Sequence, residues 1–428
     1  MDPLPLGHID DNYRNGELLL VPPVVRRKHM AIFGATGAGK TTLLRNMVAW
    51  DISAGLGVTV VDPHGSLIEE IVSNHIPRAR TNDVIYLSPK DPQWALGLNV
   101  LEAIRPDERA LVVSQVVSIF RRLWADSWGP RLEDILRNSL FALIEQPEPV
   151  SLIALPKLLT HPEFRKQILA RVTNPVVRNF FSTYESWKDS FREEAISPVL
   201  NKTRAFLTDP LLRGILGQTR SSFDFRWMMD NRKILLCDLS KGAIGEDNAN
   251  LLGSLIVTKE KLAALSRQDV PEETRVPHVL YVEEAQNFIG DFPSILSEAR
   301  KYRLSLVLVT QGIEQLAPEA AFAVFSNCAT IISFRVSGRD AERLKHEFAT
   351  VLPASELQDM PDYKAFVRTM KVEDGVSRPS GPYVVKALTP FAKGKTDADP
   401  ERVIRVSLAR YAKPRAEIEA KISHFLTA

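Results

Sequence analysis

Nine consecutive residues, Gly34-Ala35-Thr36-Gly37-Ala38-Gly39-Lys40-Thr41-Thr42, complete the pattern G-x-x-x-x-G-K-[ST]. Each residue type in it has a chemical reason. Glycines let the backbone wrap around phosphate oxygens, so that the N–H groups from Gly37 through Ala38, Gly39, Lys40, Thr41 and Thr42 point inward as donors. Lys40 adds a cation for the terminal phosphates, and the Thr41 hydroxyl is placed to ligate Mg²⁺. The flanks fit as well. Met30 to Phe33 reads as a buried strand, and Leu43, Leu44, Met47 and Val48 recur at helical spacing afterwards. A chance glycine turn before a lysine would explain neither flank.

Binding nucleotide is not hydrolysing it, which also requires an acid near Mg²⁺ and a base for the attacking water. His278-Val-Leu-Tyr-Val-Glu283-Glu284 supplies two acids after four apolar residues, at the expected carboxyl end of a strand. Glu283 is the candidate for the Mg²⁺ shell and Glu284 for polarising water. Aspartate is more usual in the first place, so the longer Glu283 side chain would make a displaced or water-mediated metal contact. A second apolar run, Leu304 to Val309, ends in Thr310-Gln311, and Gln311 is placed to orient the water or sense its loss. Ser297-Glu-Ala-Arg300-Lys301-Tyr302 puts two cations at an expected helix end, where the helix dipole alone would favour them.

Several elements are needed to position these residues. Continuous apolar, β-branched runs occur at Met30 to Phe33, Val58 to Val61, Val84 to Leu87, Ile234 to Cys237, Val279 to Val282, Leu304 to Val309 and Thr330 to Phe334. Apolarity without alternation suits strands covered on both faces, and helical segments separate several of them. The expected fold is α/β: a doubly wound, mainly parallel sheet. Between residues 105 and 229 the strand signal stops and helical periodicity takes over, as in Arg109 to Leu123, Leu132 to Ile144 and Ser197 to Leu207. Trp124, Trp128, Trp187 and Trp227 fall there and are expected mostly as core or packing anchors, with stacking on bases the lesser alternative.

The division that follows is an N-terminal segment 1–28, a discontinuous core 29–104 and 230–372, an all-helical insertion 105–229, and a tail 373–428. The tail begins with the Gly- and Pro-punctuated stretch Gly375 to Lys395. Two short helices are expected after the cap-like pair Asp399-Pro400, and their basic residues read as a solvated face.

Composition sets outer limits. The 428 residues are 45% hydrophobic and 25% charged, ordinary for a globular protein of two or three domains. No apolar run approaches a membrane span and no signal peptide is evident, so the expected location is cytoplasmic, with recruitment to a membrane left to a partner. Cys237 and Cys328 sit in apolar runs without metal-ligand spacing and are expected as small core residues. A net charge of +2 argues neither for nor against nucleic acid.

Taken in order, these motifs resemble those of the HerA–FtsK superfamily of P-loop motors, and within it the conjugative-transfer ATPases of the type IV coupling protein kind. The residues carrying the resemblance are Gly34 to Thr42, Val61-Asp62-Pro63-His64-Gly65, Ser127-Trp128-Gly129-Pro130-Arg131, Leu239-Ser240-Lys241-Gly242, Tyr281 to Gln286, Glu298-Ala-Arg300-Lys301-Tyr302 and Thr310-Gln311. The phosphate loop is generic. The run from the paired acids through Arg-Lys-Tyr to Thr-Gln is far more specific.

The resemblance implies a RecA-like P-loop NTPase core using ATP and Mg²⁺, a homohexameric ring with ATP between neighbours, and DNA drawn through the centre. It makes Arg300, with Lys301, an arginine finger reaching the adjacent subunit's ATP. It also places Asp62 and His64 near the nucleotide, and it fits the helical insertion to the all-helical domain of coupling proteins. Only Met1 to Lys28 precedes the motor core, in place of spanning helices or a small β-barrel, so membrane attachment is expected only through another protein.

The leading expectation is an ATP-driven DNA translocase in transfer or processing of mobile DNA, with a relaxase, nuclease or secretion-system component as partner. The alternative is an ATPase that drives assembly or recruitment of a protein complex without moving DNA. Asn201-Lys202-Thr203-Arg204 lacks the aspartate of the guanine-reading motif, no transporter signature is evident, and no separate acidic cluster suggests a nuclease.

Overall fold

A computed structural model of the chain describes residues 2–10, 15–103, 105–288, 292–348, 352–389 and 399–427. All seven apolar runs form strands. They are β3 (Met30–Phe33), β4 (Gly57–Asp62), β5 (Val84–Leu87), β7 (Ile234–Asp238), β8 (His278–Val282), β9 (Leu304–Thr310) and β10 (Thr330–Ser333). Every residue of these strands is buried, the reason their apolarity does not alternate. From β10 through β3, β9, β8 and β4 to β7 each neighbouring pair is parallel, and β5 follows β7 at the edge.

Four further strands extend the sheet beyond β10: β1 (Leu4–Ile9), β2 (Leu18–Val21), β11 (Lys364–Glu373) and β12 (Val376–Ala387). The full order of eleven is β2-β1-β12-β11-β10-β3-β9-β8-β4-β7-β5, and all pairings from β10 outward are antiparallel. Segments 1–28 and 373–428, set apart from the core in the sequence, thus both supply strands to its sheet. The punctuation at Gly375 is a hairpin: Asp374 (φ 49°) and Gly375 (φ 75°) link Glu373 to its cross-strand partner Val376, and a two-residue turn of this hand needs positive φ at both positions. Residues 390–395, the end of that punctuated stretch, lie outside the described residues.

The described chain divides into two compact units. The first, residues 1–86, 225–239 and 263–407, holds the eleven-stranded sheet and the helix Lys40–Ser53 that follows the phosphate loop. That helix buries Leu43, Leu44, Met47, Val48 and Ile52. It is also tied to the strand carrying the paired acids. Arg26 donates to both oxygens of Asp51 at 2.8 and 2.6 Å, and the Tyr281 hydroxyl donates to Asp51 Oδ2 at 2.6 Å, all fully buried. Cys237 and Cys328 are buried and form no disulfide.

The second unit, residues 87–224, 240–262 and 408–428, is predominantly helical. Among its described residues a small ribbon pairs β6 (Trp94–Leu96) with β13 (Ala412–Pro414). Trp124 packs on Phe120 and Phe206, and Trp187 on Tyr184 and Phe191. Both indoles are half-buried and Phe191 is exposed, so these rings pack against one another near the surface, and Trp227 is exposed as well. Besides residues of the helical stretch 105–229, the unit takes in 240–262 and the C-terminal helix Arg415–Thr427, which amphipathic pattern alone does not assign to it.

Candidate functional site

Parallel register brings the ends of five strands to one edge of the sheet. Phe33 pairs with Thr310, Val282 with Leu308, Val61 with Val282, and Phe33 with Ser333. The phosphate loop, Asp62, Glu283 and Gln311 therefore leave the sheet side by side, the usual place for a ligand in such a fold. Gly37 (φ 80°) and Gly39 (φ 118°) lie in the left-handed region, and Gly39 leads directly into the helix at Lys40. Gly34 is required for a different reason, since a Cβ there would come within 2.7 Å of Phe334 Cβ.

Lys40 folds back over the loop and donates to the carbonyls of Gly34 (2.5 Å) and Ala35 (3.0 Å). Burial lowers its pKa, while the charges of Glu284 and Glu283 oppose that shift. Thr41 Oγ1 donates to Glu283 Oε1 at 2.8 Å. Glu283 Oε2 is buried without a hydrogen-bond partner among the described residues. Its carboxyl group is pushed up to about 8, first by burial and then by the neighbouring Asp62 carboxylate. Asp62 itself accepts backbone N–H bonds from His64 (2.7 Å), Leu67 (2.9 Å) and Ile68 (3.3 Å), capping the helix Ser66–Asn74.

These oxygens suit Mg²⁺: a hydroxyl, a buried carboxylate oxygen lacking a donor, and a second carboxylate beside it. Among the described residues no three His, Cys, Asp or Glu side chains are arranged to hold a metal by themselves. Mg²⁺ needs no such cage, because it keeps waters and takes phosphate oxygens.

Glu284 has left-handed backbone (φ 48°), and its two carboxylate oxygens are engaged by two amides. Gln286 Nε2 donates to Oε2 at 2.6 Å and Gln311 Nε2 to Oε1 at 3.2 Å. A carboxylate held in this way keeps lone pairs free toward the loop while its orientation is set. The turn after Gln311 is fixed in its own right, since Asp340 accepts from the Glu314 N–H (3.0 Å) and the Ser337 hydroxyl (2.6 Å). A Cβ on Gly312 would lie 2.4 Å from Asp340 Oδ2 and would have to displace that carboxylate from the turn it holds.

Lys40, Thr41, Glu283, Glu284 and Gln311 thus come together, with Asp62 beside them. Arg300 does not join them. It is exposed in the turn Ala299–Tyr302 that precedes β9, at the opposite, amino-terminal edge of the strands. Leu304 to Thr310 spans roughly 20 Å at ~3.3 Å per residue. Gln286 and Asp340 carried no functional reading in the sequence. Gln286 stood only as the last residue of the run Tyr281 to Gln286 that carries the resemblance, and Asp340 gave no signal, because the turn it holds at Glu314 lies 26 residues away in the chain.

Comparison with known proteins bears on the family and the fold. The family model described as "Helicase HerA, central domain" matches residues 18–258, and the model described as "TraM recognition site of TraD and TraG" matches residues 277–361. The type 4 coupling protein DotL of Legionella pneumophila is 22% identical over 390 residues, an alignment covering 73% of this chain and 48% of DotL. The chain therefore spans about half the length of that curated relative.

Among solved structures, the bacterial conjugative coupling protein TrwB (ΔN70 form, unbound) superposes with a TM-score of 0.62 at 17% identity, covering 89% of this chain and 90% of that one. TrwB in complex with ADP and Mg²⁺ gives 0.59 at 18%, covering 89% of each chain. VirB4 of Thermoanaerobacter pseudethanolicus gives 0.59 at 14%, covering 90% of this chain and 96% of its own. At these identities the likeness is one of fold, a RecA-like P-loop NTPase sheet. With a complete phosphate loop facing paired acids, and a family model matched over more than half its length, this chain belongs to the family of the HerA helicase central domain, within the HerA–FtsK superfamily of P-loop NTPases.

Proposed function

We propose that this protein is an ATP-driven DNA translocase that works as a homohexameric ring in transfer or processing of mobile DNA. The observation that carries the reading is the pairing of Glu284 with Gln311 and Gln286 beside Lys40 and Thr41, which is a hydrolytic arrangement rather than a merely nucleotide-holding one. Backbone N–H groups from Gly37 to Thr42 cradle the phosphates of ATP, and Lys40 moves from its loop carbonyls to the terminal phosphates. Thr41 and Glu283, with Asp62 behind, would hold Mg²⁺, which when bound offsets charge on the β- and γ-phosphate oxygens. Glu284 accepts the proton of the attacking water, and Gln311 fixes the carboxylate that does so.

Arg300 completes the site from a neighbouring subunit, because within its own chain it sits a full strand length away. The helical stretch 105–229 is, in this reading, the insertion of a discontinuous motor core 29–104 and 230–372. The coupling proteins DotL and TrwB support a setting in conjugative or type IV secretion, where a relaxase or channel component is the natural partner. No helix among the described residues is long and apolar enough to cross a membrane.

A second reading has one observation in its favour. Residues 277–361, which carry the acid pair, Arg300 and Gln311, match a segment described in other proteins as a recognition site for the protein TraM. On that reading nucleotide state governs protein contacts and no DNA moves. Steady-state ATPase activity with and without double- and single-stranded DNA separates the two, with Glu284→Gln as the hydrolysis-defective control. Stimulation by DNA, lost in the control, is expected of the translocase; turnover indifferent to DNA at low salt moves the assignment to assembly or recruitment.

A further inference from the structure

Strand β3, which feeds the phosphate loop, has β9 on one side and β10 on the other. Glu284 and Gln311 follow β8 and β9, so the terminal phosphate of a nucleotide in the loop faces that side. Its sugar and base must then leave past Gly39 on the β10 side. Two backbone contacts shape the loop there: Ala35 N–H donates to Arg335 O at 2.6 Å, and Tyr363 N–H donates to Ala38 O at 2.9 Å.

Tyr363 is unusual in three respects. Its backbone is left-handed (φ 62°), a conformation disfavoured for a bulky residue, and it is held there by the Ala38 bond and by Ala387 N–H donating to its carbonyl at 2.8 Å. Its side chain is 50% exposed, although the strand that follows it buries Ala365, Phe366 and Val367. Its ring lies against the turn into the helix, with Cδ1 3.2 Å from where a Gly39 Cβ would stand. An aromatic face is thus kept in solvent, on constrained backbone, at the mouth through which the base must pass.

We propose that Tyr363 is the base platform of this site, stacking its ring on the purine of the bound nucleotide. The proposal rests on the nucleotide reading above. Stacking uses only the π-face that every base shares, so the platform adds affinity without selecting adenine over guanine.

The test is isothermal titration calorimetry of the full chain with ADP, GDP and inorganic tripolyphosphate, each with Mg²⁺. It compares wild type with Tyr363→Ala, Tyr363→Phe and Lys40→Ala. The expected result is that Tyr363→Ala weakens ADP and GDP alike by about tenfold or more, the scale of one lost base–aromatic stack. Tyr363→Phe should bind as wild type, and neither change should alter tripolyphosphate affinity. Unchanged ADP affinity in Tyr363→Ala overturns the platform. A parallel loss of tripolyphosphate also overturns it, because the ring would then only shape the loop. Lys40→Ala keeps the two failures apart: if it binds ADP and tripolyphosphate like wild type, the nucleotide reading itself falls, whereas if it loses both while Tyr363→Ala is silent, only the platform falls.

Discussion

At the scale of single residues, the most consequential contact is between Glu284 and Gln286, two positions apart and folded onto each other by the left-handed backbone at Glu284. Gln286 donates to Glu284, the proposed general base, so its removal should act on turnover alone. Gln286→Ala is expected to lower kcat by about tenfold with KM unchanged, whereas Glu284→Gln, which removes the base, should lower it by about 10²- to 10⁴-fold. Steady-state kinetics at saturating ATP checks both, and a raised KM at normal kcat in Gln286→Ala would count against the positioning role. The acid pair was legible in the sequence because four apolar residues precede it and a phosphate loop lies upstream. The amide clamp was not, since glutamines carry no periodicity and the clamp exists only once β8 and β9 lie side by side.

At the scale of elements, the parallel strands are stitched together near their amino ends by two buried histidines. His29 Nδ1 accepts from the Leu306 N–H at 3.0 Å, linking the approach to β3 with β9, and His278 Nε2 lies 3.0 Å from Thr59 Oγ1, linking β8 with β4. Burial pushes His29 down to about 4 and His278 down to about 3. The unfolded chain therefore takes up protons below about 6.5 while the folded chain stays neutral, so stability is lost as pH falls through that window. Each histidine should cost about 1.4 kcal/mol per pH unit between 6.5 and its folded value. Melting temperatures at pH 7.5 and pH 5 are expected to differ, and His278→Gln should flatten the dependence; an unaltered slope in that variant would show that other groups govern acid sensitivity.

The same elements show what pattern can and cannot reveal. Strands buried on both faces announce themselves as apolar runs without alternation, as β3 does throughout and β9 does but for Ser305 and the terminal Thr310. Strand β12 contains Pro379, Gly381 and Pro382 and is half exposed, so its chemistry resembles that of a loop, and only its pairing with β1 and β11 makes it a strand.

At the scale of the whole molecule, the position of Arg300 turns a question of catalysis into one of assembly. One chain cannot bring that guanidinium to its own phosphate loop, because the parallel strands that deliver Lys40, Glu284 and Gln311 to one edge begin beside Arg300 at the other. Only the resemblance in the sequence suggested a role in trans, since spacing along the chain does not say which sheet edge a turn occupies. If neighbours share sites, defects in Lys40 and Arg300 are separable. A Lys40→Ala subunit has a dead loop but an intact Arg300, and an Arg300→Ala subunit has the reverse. Each pure variant should be inactive, while in mixtures some interfaces pair the sound loop of one subunit with the Arg300 of the other. ATPase activity is therefore expected to rise from near zero to a maximum at intermediate ratios, with a height set by the fraction of competent interfaces. A flat line at every ratio, under conditions where light scattering shows the two variants in one assembly, would remove Arg300 from the site. Recovery would show instead that the catalytic unit is the interface between two chains.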